Sequence, residues 1–379
     1  MTKKNILITG GAGFIGSRLA LQLLDRGHKI RVLDNLAPQI HGANPEASPL
    51  YQAILGKVDF VRGSVTSRED LMRVLPGIDT VVHLAAETGT GQSMYAIQHY
   101  TDVNVGGTAL LLDLIANLQL PVTKIVVASS RAVYGEGKYL CPMHGAVYPS
   151  ARSAGDMKQG NFDLHCPVCH VLVAVAPTDE DAPVRPASVY GITKLNQEQM
   201  VLTVGRSLGI SAVALRYQNV YGPGQSLSNP YTGILSIFST RIRNGSDINI
   251  FEDGSESRDF VYIDDVIDVT ANAVEGVAPC VDFFNVGSGV ATSVLTIANT
   301  LQRLLGITVS VRVSGQFRTG DIRHNFADLA KVRAAFGFEA KVQIEEGLRR
   351  FTDWVQGEAI QADRYEESLS ELKARGLFK

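Results

Sequence analysis

The stretch Ile6-Leu7-Ile8-Thr9-Gly10-Gly11-Ala12-Gly13-Phe14-Ile15-Gly16 decides the fold. Its first four residues are a short apolar run bounded by glycine, which predicts a buried strand over 6–9. Directly after it, Ile15, Leu19 and Leu23 recur four apart, flanked by Ala20 and Leu24. That spacing predicts a helix over 14–26, stopped by Gly27. The glycines lie between the two elements. Gly10 permits a tight turn. Gly13 lets a pyrophosphate approach the backbone where free N–H groups and the helix dipole favour anions, and Gly16 allows close helix–strand packing. Glycine-rich turns without a ligand are common, so the surroundings decide. The next strand, 30–33, is followed by Asp34, 18 residues past Gly16. A carboxylate there can accept both hydroxyls of an adenosine ribose and would repel a 2′-phosphate. The pattern predicts a dinucleotide site for NAD rather than NADP.

The alternation continues outward. A third strand ends at Phe60-Val61, and a helix over 67–74, capped by Thr66, carries Glu69 and Asp70 in its first turn. Strands over 80–84, 124–129 and 211–216 alternate with helices over 105–118 and 188–208. This implies an α/β fold, a Rossmann-type doubly wound parallel sheet covered on both faces. Past residue 219 the glycines and prolines at 222, 223, 224, 230 and 233 break the alternation and predict a smaller C-terminal α/β substrate lobe. The expected division is a nucleotide-binding domain over 1–218, with an insertion at 136–178, and a lobe over 219–379. Parts of 255–290 are expected to return to the first domain. The charged stretch 361–379 reads as a solvated surface helix.

Composition narrows the function classes. With 379 residues, two domains are expected. Apolar residues at 45% and charged residues at 19% exclude a disordered chain. Lys plus Arg is 35 against 38 for Asp plus Glu, which argues against nucleic-acid or anionic-membrane partners. No apolar run is long enough to span a membrane. Met1-Thr2-Lys3-Lys4 and the apolar run after it superficially resemble a signal peptide, but the nucleotide turn explains that run better, so a cytoplasmic chain is expected.

Tyr190 and Lys194 share one face of the helix predicted over 188–208. A phenol titrates near pH 10, and lowering that by roughly 3 units needs about 4 kcal/mol. An ammonium about 4 Å away at an effective dielectric near 20 supplies a term of that order. Tyr190 would then accept a proton from a sugar hydroxyl as hydride leaves for NAD. Ser130, at the end of the strand before Arg131-Ala132-Val133-Tyr134-Gly135, would orient the same oxygen. Taken singly, each is more often a surface or capping residue.

Several further blocks stand in one order from residue 5 to about 356. They include His83-Leu84-Ala85-Ala86, Asn104-Val105-Gly106-Gly107-Thr108, Arg216-Tyr217-Gln218-Asn219, Arg258-Asp259-Phe260-Val261 and Phe284-Asn285-Val286-Gly287. With the glycine turn and the Tyr190–Lys194 pair, they resemble the extended short-chain dehydrogenase/reductase superfamily, in its nucleotide-sugar epimerase/dehydratase branch. The resemblance implies a catalytic triad of Ser130, Tyr190 and Lys194. It implies NAD contacts at Gly10, Gly13, Phe14, Ile15, Gly16, Asp34, Asn35, Ser64, Val65, Leu84, Ala85, Ala86, Asn104 and Tyr217, besides Tyr190 and Lys194. Ser64 stands where the family usually has an acid. Asn219, Arg258, Arg318 and Asp321 match residues around a nucleotide diphosphate, and Glu87 and Ser93 lie toward the sugar. A homodimer is implied as well.

Dehydratases of this branch carry an acidic pair where this chain has Arg131 and Ala132, neither of which supplies a proton to eliminate water. Asp34 favours retained NAD, which suits epimerisation. Blocks at 91–95, 228–235 and 320–324 resemble the dTDP-L-rhamnose 4-epimerases, which interconvert dTDP-L-rhamnose and dTDP-6-deoxy-L-talose. UDP-hexose 4-epimerisation and NAD(P)H-dependent keto-sugar reduction are the alternatives.

Between Gly135 and Tyr190 lie 54 residues, more than the resemblance leads one to expect. They hold Cys141-Pro142-Met143-His144 and Cys166-Pro167-Val168-Cys169, two knuckles whose four ligands suit a closed tetrahedral structural zinc site. His165 and His170 are substitute ligands, and free thiols or a redox pair are the other readings. Cys280 reads as a small core residue. Joining the Ser130 strand to the Tyr190 helix, the insertion is placed to form a lid over the sugar.

Overall fold

The opening run forms the expected strand, and the central sheet of the computed structural model is built around it. The structure describes residues 3–231, 233–276 and 278–379; Met1, Thr2, Val277 and Thr232, the last within the block 228–235, lie outside the described residues. The sheet holds β1 (Asn5–Thr9), β2 (Lys29–Asp34), β3 (Asp59–Arg62), β4 (Thr80–His83), β5 (Lys124–Ser130), β6 (Ser211–Tyr217) and β7 (Val281–Val286). All run parallel, in the order β7-β6-β5-β4-β1-β2-β3. Strand order reverses at β1, so a crevice opens at the carboxyl ends of β1 and β4, the place where doubly wound sheets take ligands.

Side chains of β1 divide between two cores. Ile6 and Ile8 face one, Leu7 the other, and all three are fully buried. That is the strand period of two with helices on both faces. On the first face, α1 (Phe14–Asp25) packs against a helix at Ile263–Glu275; on the second, helices at Gly107–Asn117 and Val189–Leu208 pack together. In chain order these are α1, α2 (Gly107–Asn117), α3 (Val189–Leu208) and α4 (Ile263–Glu275). The helix expected over 105–118 is entered by a wider π-helical turn over Thr101–Gly106.

The lobe contains a mixed sheet of Asn219–Tyr221, Ser257–Tyr262, Ala291–Ser293 and His324–Asn325, and a parallel pair of Ile248–Ile250 with Val311–Val313. The insertion folds as a three-stranded antiparallel sheet of Tyr139–Cys141, Gly145–Val147 and Ala174–Val175. Cys280 is half-buried against the main core, just before β7. Among the described residues no helix is long and apolar enough to cross a membrane.

Two expectations are corrected. Ser67, not Thr66, caps the helix Arg68–Val74: its hydroxyl accepts from the Asp70 N–H at 3.2 Å, three positions on, where a cap can reach. The Thr66 hydroxyl is engaged instead by Ser64 at 2.8 Å. The C-terminal helix α5 (Tyr365–Ala374) is not a solvated surface helix. Tyr365, Leu369 and Leu372 form an apolar stripe at helical spacing, buried with Phe378 against Tyr95, Ile237 and Phe251.

Candidate active site

A cavity of about 880 Å³ is lined by residues from the carboxyl edge of the sheet and from the lobe. At its nucleotide end the glycine turn is bare backbone. Gly10 has φ of +68°, and a Cβ on it would stand 2.8 Å from the Ala85 nitrogen. Gly13 caps α1 with no side chain over the free N–H groups. This cradle fits the pyrophosphate of a dinucleotide. Asp34 is buried at the end of β2, its two oxygens accepting from Ala12 N at 3.0 Å and Leu36 N at 2.8 Å. Gly10, Gly13, Phe14, Ile15, Gly16, Asn35, Ser64, Val65, Leu84, Ala85 and Ala86 line the same end with it.

Strand β5 delivers Ser130 and helix α3 delivers Tyr190 and Lys194 to the middle of the cavity, beside Tyr217 of β6. Ser188 caps α3, accepting from Gly191 N at 3.1 Å, so the helix starts one residue before its tyrosine. Burial pushes the Tyr190 phenol up, while the hydrogen-bonded Ser130 hydroxyl and the Arg131 guanidinium act against that. Burial also draws Lys194 down to about 7, opposed by Glu198. Near neutral pH its amine is therefore divided between charged and neutral forms, not the fully charged ammonium that the spacing suggests. Lys194 donates to Gln197 at 2.7 Å, and Gln197 to Thr108 at 2.7 Å, a buried chain that orients the amine.

Arg258, Arg318, Asp321, Asn219 and Glu87 complete the far wall. Arg258 is anchored on the carbonyls of Ile322 and Arg323 at 2.7 and 2.9 Å. Arg318 donates to Asp321 at 2.8 Å. Burial would raise the Asp321 carboxyl, but Arg318, Arg258 and Arg131 together hold it below its usual range. Arg131 donates to Asn219 at 3.1 Å; burial, with Arg258 adding, draws it down to about 9, so it stays charged at neutral pH.

Two expected site residues do not line the cavity. Ser93 is fully buried and supports α3, accepting from Tyr190 N at 3.0 Å. Asn104, also buried, accepts from Glu87 N at 2.7 Å and donates to Thr193 at 2.9 Å. Both hold neighbours in place. No residue of 136–178 is among those lining the cavity either. Conversely, His41 and Tyr365 line it without a local sequence signal, and Tyr231, within the block 228–235, lines it as well.

Cys141, His144, Cys166 and Cys169 converge, their ligand atoms all within 4.8 Å of one another. The Cys141–Cys169 sulfur distance is 3.6 Å; His144 Nδ1 lies 3.5 Å from the Cys141 sulfur and 3.6 Å from that of Cys166. Zn–S bonds of about 2.3 Å and Zn–N of about 2.0–2.1 Å in a tetrahedron require edges of roughly 3.5–3.8 Å. Met143 N and Val168 N each point at a knuckle sulfur at 3.4 Å. The donor set fits a closed structural metal site.

A parallel sheet with a dinucleotide turn at its switch point, and a Ser–Tyr–Lys group beside it, defines a Rossmann-type enzyme of the extended dehydrogenase/reductase class. The NAD dependent epimerase/dehydratase family matches residues 6–152 and 168–287, and the chain belongs to it. The match omits 153–167, inside the insertion. The dTDP-L-rhamnose 4-epimerase of Burkholderia thailandensis is 38% identical over 357 residues, 94% of this chain and 96% of that one. A putative UDP-glucose 4-epimerase of Methanocaldococcus jannaschii is 28% identical over 93% of this chain and 98% of its own. Among solved structures, the UDP-glucose 4-epimerase of Thermotoga maritima with UDP-glucose superposes with a TM-score of 0.73 at 28% identity, covering 93% of this chain and 99% of that one. The enzyme of Thermus thermophilus with NAD gives 0.73 at 27%, covering 94% and 100%. The chain is an NAD-dependent enzyme of the nucleotide-sugar epimerase type.

Proposed function

We propose that the protein is a 4-epimerase interconverting dTDP-L-rhamnose and dTDP-6-deoxy-L-talose through a 4-keto sugar. The observation that carries the reading is one cavity that joins the dinucleotide turn, Ser130, Tyr190 and Lys194 to Arg258 and Arg318. The similarity to the Burkholderia enzyme, over nearly the whole of both chains, supports the particular sugar. The glycine turn and Asp34 would hold NAD, which would supply the hydride acceptor and donor for the sugar.

The chain's own residues divide the remaining work. Tyr190 accepts the proton of the C4 hydroxyl, and Ser130 holds that oxygen in line. In its charged form Lys194 favours the ionised phenol, and that form is shared with the neutral one near neutral pH. On return, Tyr190 gives the proton back. The two epimers differ in which face of C4 receives hydride, so the keto sugar must turn while its nucleotide end stays anchored. Arg258 and Arg318 serve as that anchor, since guanidinium forks match phosphate oxygens. Arg131 and Ala132 offer no acid for eliminating water. The Cys141, His144, Cys166 and Cys169 group is read as a structural zinc site, which leaves no open position for catalysis. The active form is read as a homodimer, on the family resemblance.

An NMR time course with dTDP-L-rhamnose, no added cofactor and UDP-glucose in parallel tests the reading. A C4 epimer from the dTDP sugar is expected. Epimerisation of UDP-glucose alone would keep the chemistry and change the substrate. No product from either, with NAD confirmed in the protein, would overturn the epimerase reading in favour of a keto-sugar reductase.

A further inference from the structure

The insertion is absent from the cavity wall, yet it touches the back of that wall. Arg152, in the loop between the two knuckles, is buried and fully engaged. Its guanidinium grips Glu252 with two bonds of 2.7 and 2.8 Å and donates to the Asp321 carbonyl at 3.0 Å and to Glu136 at 3.2 Å. The other oxygen of Glu136 accepts from Arg323 N at 2.8 Å. Phe317, one residue before Arg318, is buried against Met157 and Phe162 of the same loop. The segment 317–323 therefore shows Arg318 and Asp321 to the cavity and is held from behind by the insertion. Arg258 belongs to the same unit, because it hangs on the carbonyls of Ile322 and Arg323.

The knuckles close the base of that loop. Cys141 and Cys166 stand 25 positions apart in sequence, and His144 Nδ1 bridges between their sulfurs at 3.5 and 3.6 Å. A closed loop of this length has far fewer unfolded arrangements than an open one. The docked face of the loop offers one small apolar cluster, Arg152, and Asp163, which accepts from Arg323 at 2.9 Å while itself half exposed, so the position of Arg152 depends on the loop ends being fixed.

We infer that Cys141, His144, Cys166 and Cys169 bind one zinc ion that clips the insertion into a brace for the diphosphate-facing wall, with Arg152 as the positioning residue. This rests on the nucleotide-sugar reading and deepens it. The ion does no chemistry on the sugar. It sets how well Arg258, Arg318 and Asp321 are pre-organised, so it governs affinity for the diphosphate end of the substrate and leaves the NAD end alone. Loss of pre-organisation appears in KM more than in kcat, because the anchor binds ground state and transition state alike.

The test uses the full chain and four readouts: zinc per chain by elemental analysis, NAD per chain, calorimetric affinity for dTDP and for UDP, and KM against kcat on the sugar that turns over. The wild type is expected to hold about one zinc and to bind one of the two diphosphates. Arg152→Met should keep zinc and NAD, bind that diphosphate about tenfold more weakly and raise KM by a similar factor, with kcat changed much less. Arg152→Lys retains the charge without the fork and should recover part of the loss. His144→Ala, at an exposed ligand, should lose zinc and reproduce the weak diphosphate binding with NAD content unchanged. Should Arg152→Met fail to fold, Arg152→Lys decides alone, and unaltered affinity in it overturns the positioning role. A metal-free His144→Ala protein with wild-type affinity overturns the clip, as does a wild type that holds no metal and binds normally. Binding that is present but indifferent to all three variants removes the brace and leaves the epimerase reading standing. A wild type that binds neither diphosphate removes both.

Discussion

Tyr190 and Lys194 stand one helical turn apart, but burial drives their titrations apart, the phenol's up and the amine's down. Tyr190→Phe keeps the ring and its packing and removes the only atom that can carry the substrate proton. Turnover should fall by roughly 10²–10⁴-fold or more, with NAD per chain unchanged; full activity in a steady-state assay would sink the assignment of the base. Lys194 makes a separate prediction about stability. Its folded value is about 7 against an ordinary lysine value of 10.5, so between those limits the unfolded chain binds more protons than the folded one. Stability contributed by this group therefore rises with pH from about 7 to about 10.5. Lys194→Met abolishes that gain. Melting curves should show the variant's Tm advantage over wild type shrinking as pH rises through this window, while its activity is lost at every pH. A difference in Tm that does not move with pH would mean that the amine is far better solvated than its surroundings suggest. Spacing shows that the two side chains share a face, but the effect of burial on the amine is invisible until the sheet and α2 close around them.

At the scale of elements, the most legible parts are those whose meaning is local. The strand, turn and helix of residues 5–25 can be read because period two, glycine and period 3.6 follow one another within a single βαβ unit. The knuckles are legible for the same reason. Helix α5 is the opposite case. Its charged residues are as many as its apolar ones, and its stripe of Tyr365, Leu369 and Leu372 gains significance only from Tyr95, Ile237 and Phe251, which are distant in sequence. Tyr365 then lines the cavity, Glu371 accepts from Tyr95 and Tyr231 at 2.7 and 3.0 Å, and residues 377 and 379 pair with 317 and 319. Removing residues 361–379 should therefore raise KM for the nucleotide sugar about tenfold or more while NAD stays bound. The milder Leu369→Ala should cost about 2–4 kcal/mol in denaturant melts without moving the NAD content. Unchanged KM in the truncated chain would return α5 to the role of a surface helix.

At the scale of the whole molecule, alternation along residues 1–218 accounts for six of the seven strands, and nothing local in 281–286 shows which edge that segment joins. Its answer lies in partners: β7 pairs with β6 from Val281 opposite Ala212 to Val286 opposite Tyr217. Before it, α4 lies against α1, its Val266, Val269 and Val274 in the core that also holds Leu19 and Leu23. The chain thus leaves the nucleotide-binding half, builds part of the lobe and comes back to finish the sheet. A fragment of residues 1–218 would expose the edge of β6, where Ala212, Ala214 and Leu215 are fully buried in the intact chain, together with the face of α1 that α4 covers. An open strand edge beside bare apolar surface favours association over folding. The fragment should be aggregated or only partly folded and should hold no NAD. A fragment ending at residue 290 regains β7 and α4, and should recover helical circular dichroism, a cooperative melt and at least weak NAD binding. If the shorter fragment melts cooperatively and retains NAD, the two halves are separable domains, and the returning strand contributes to the substrate side alone.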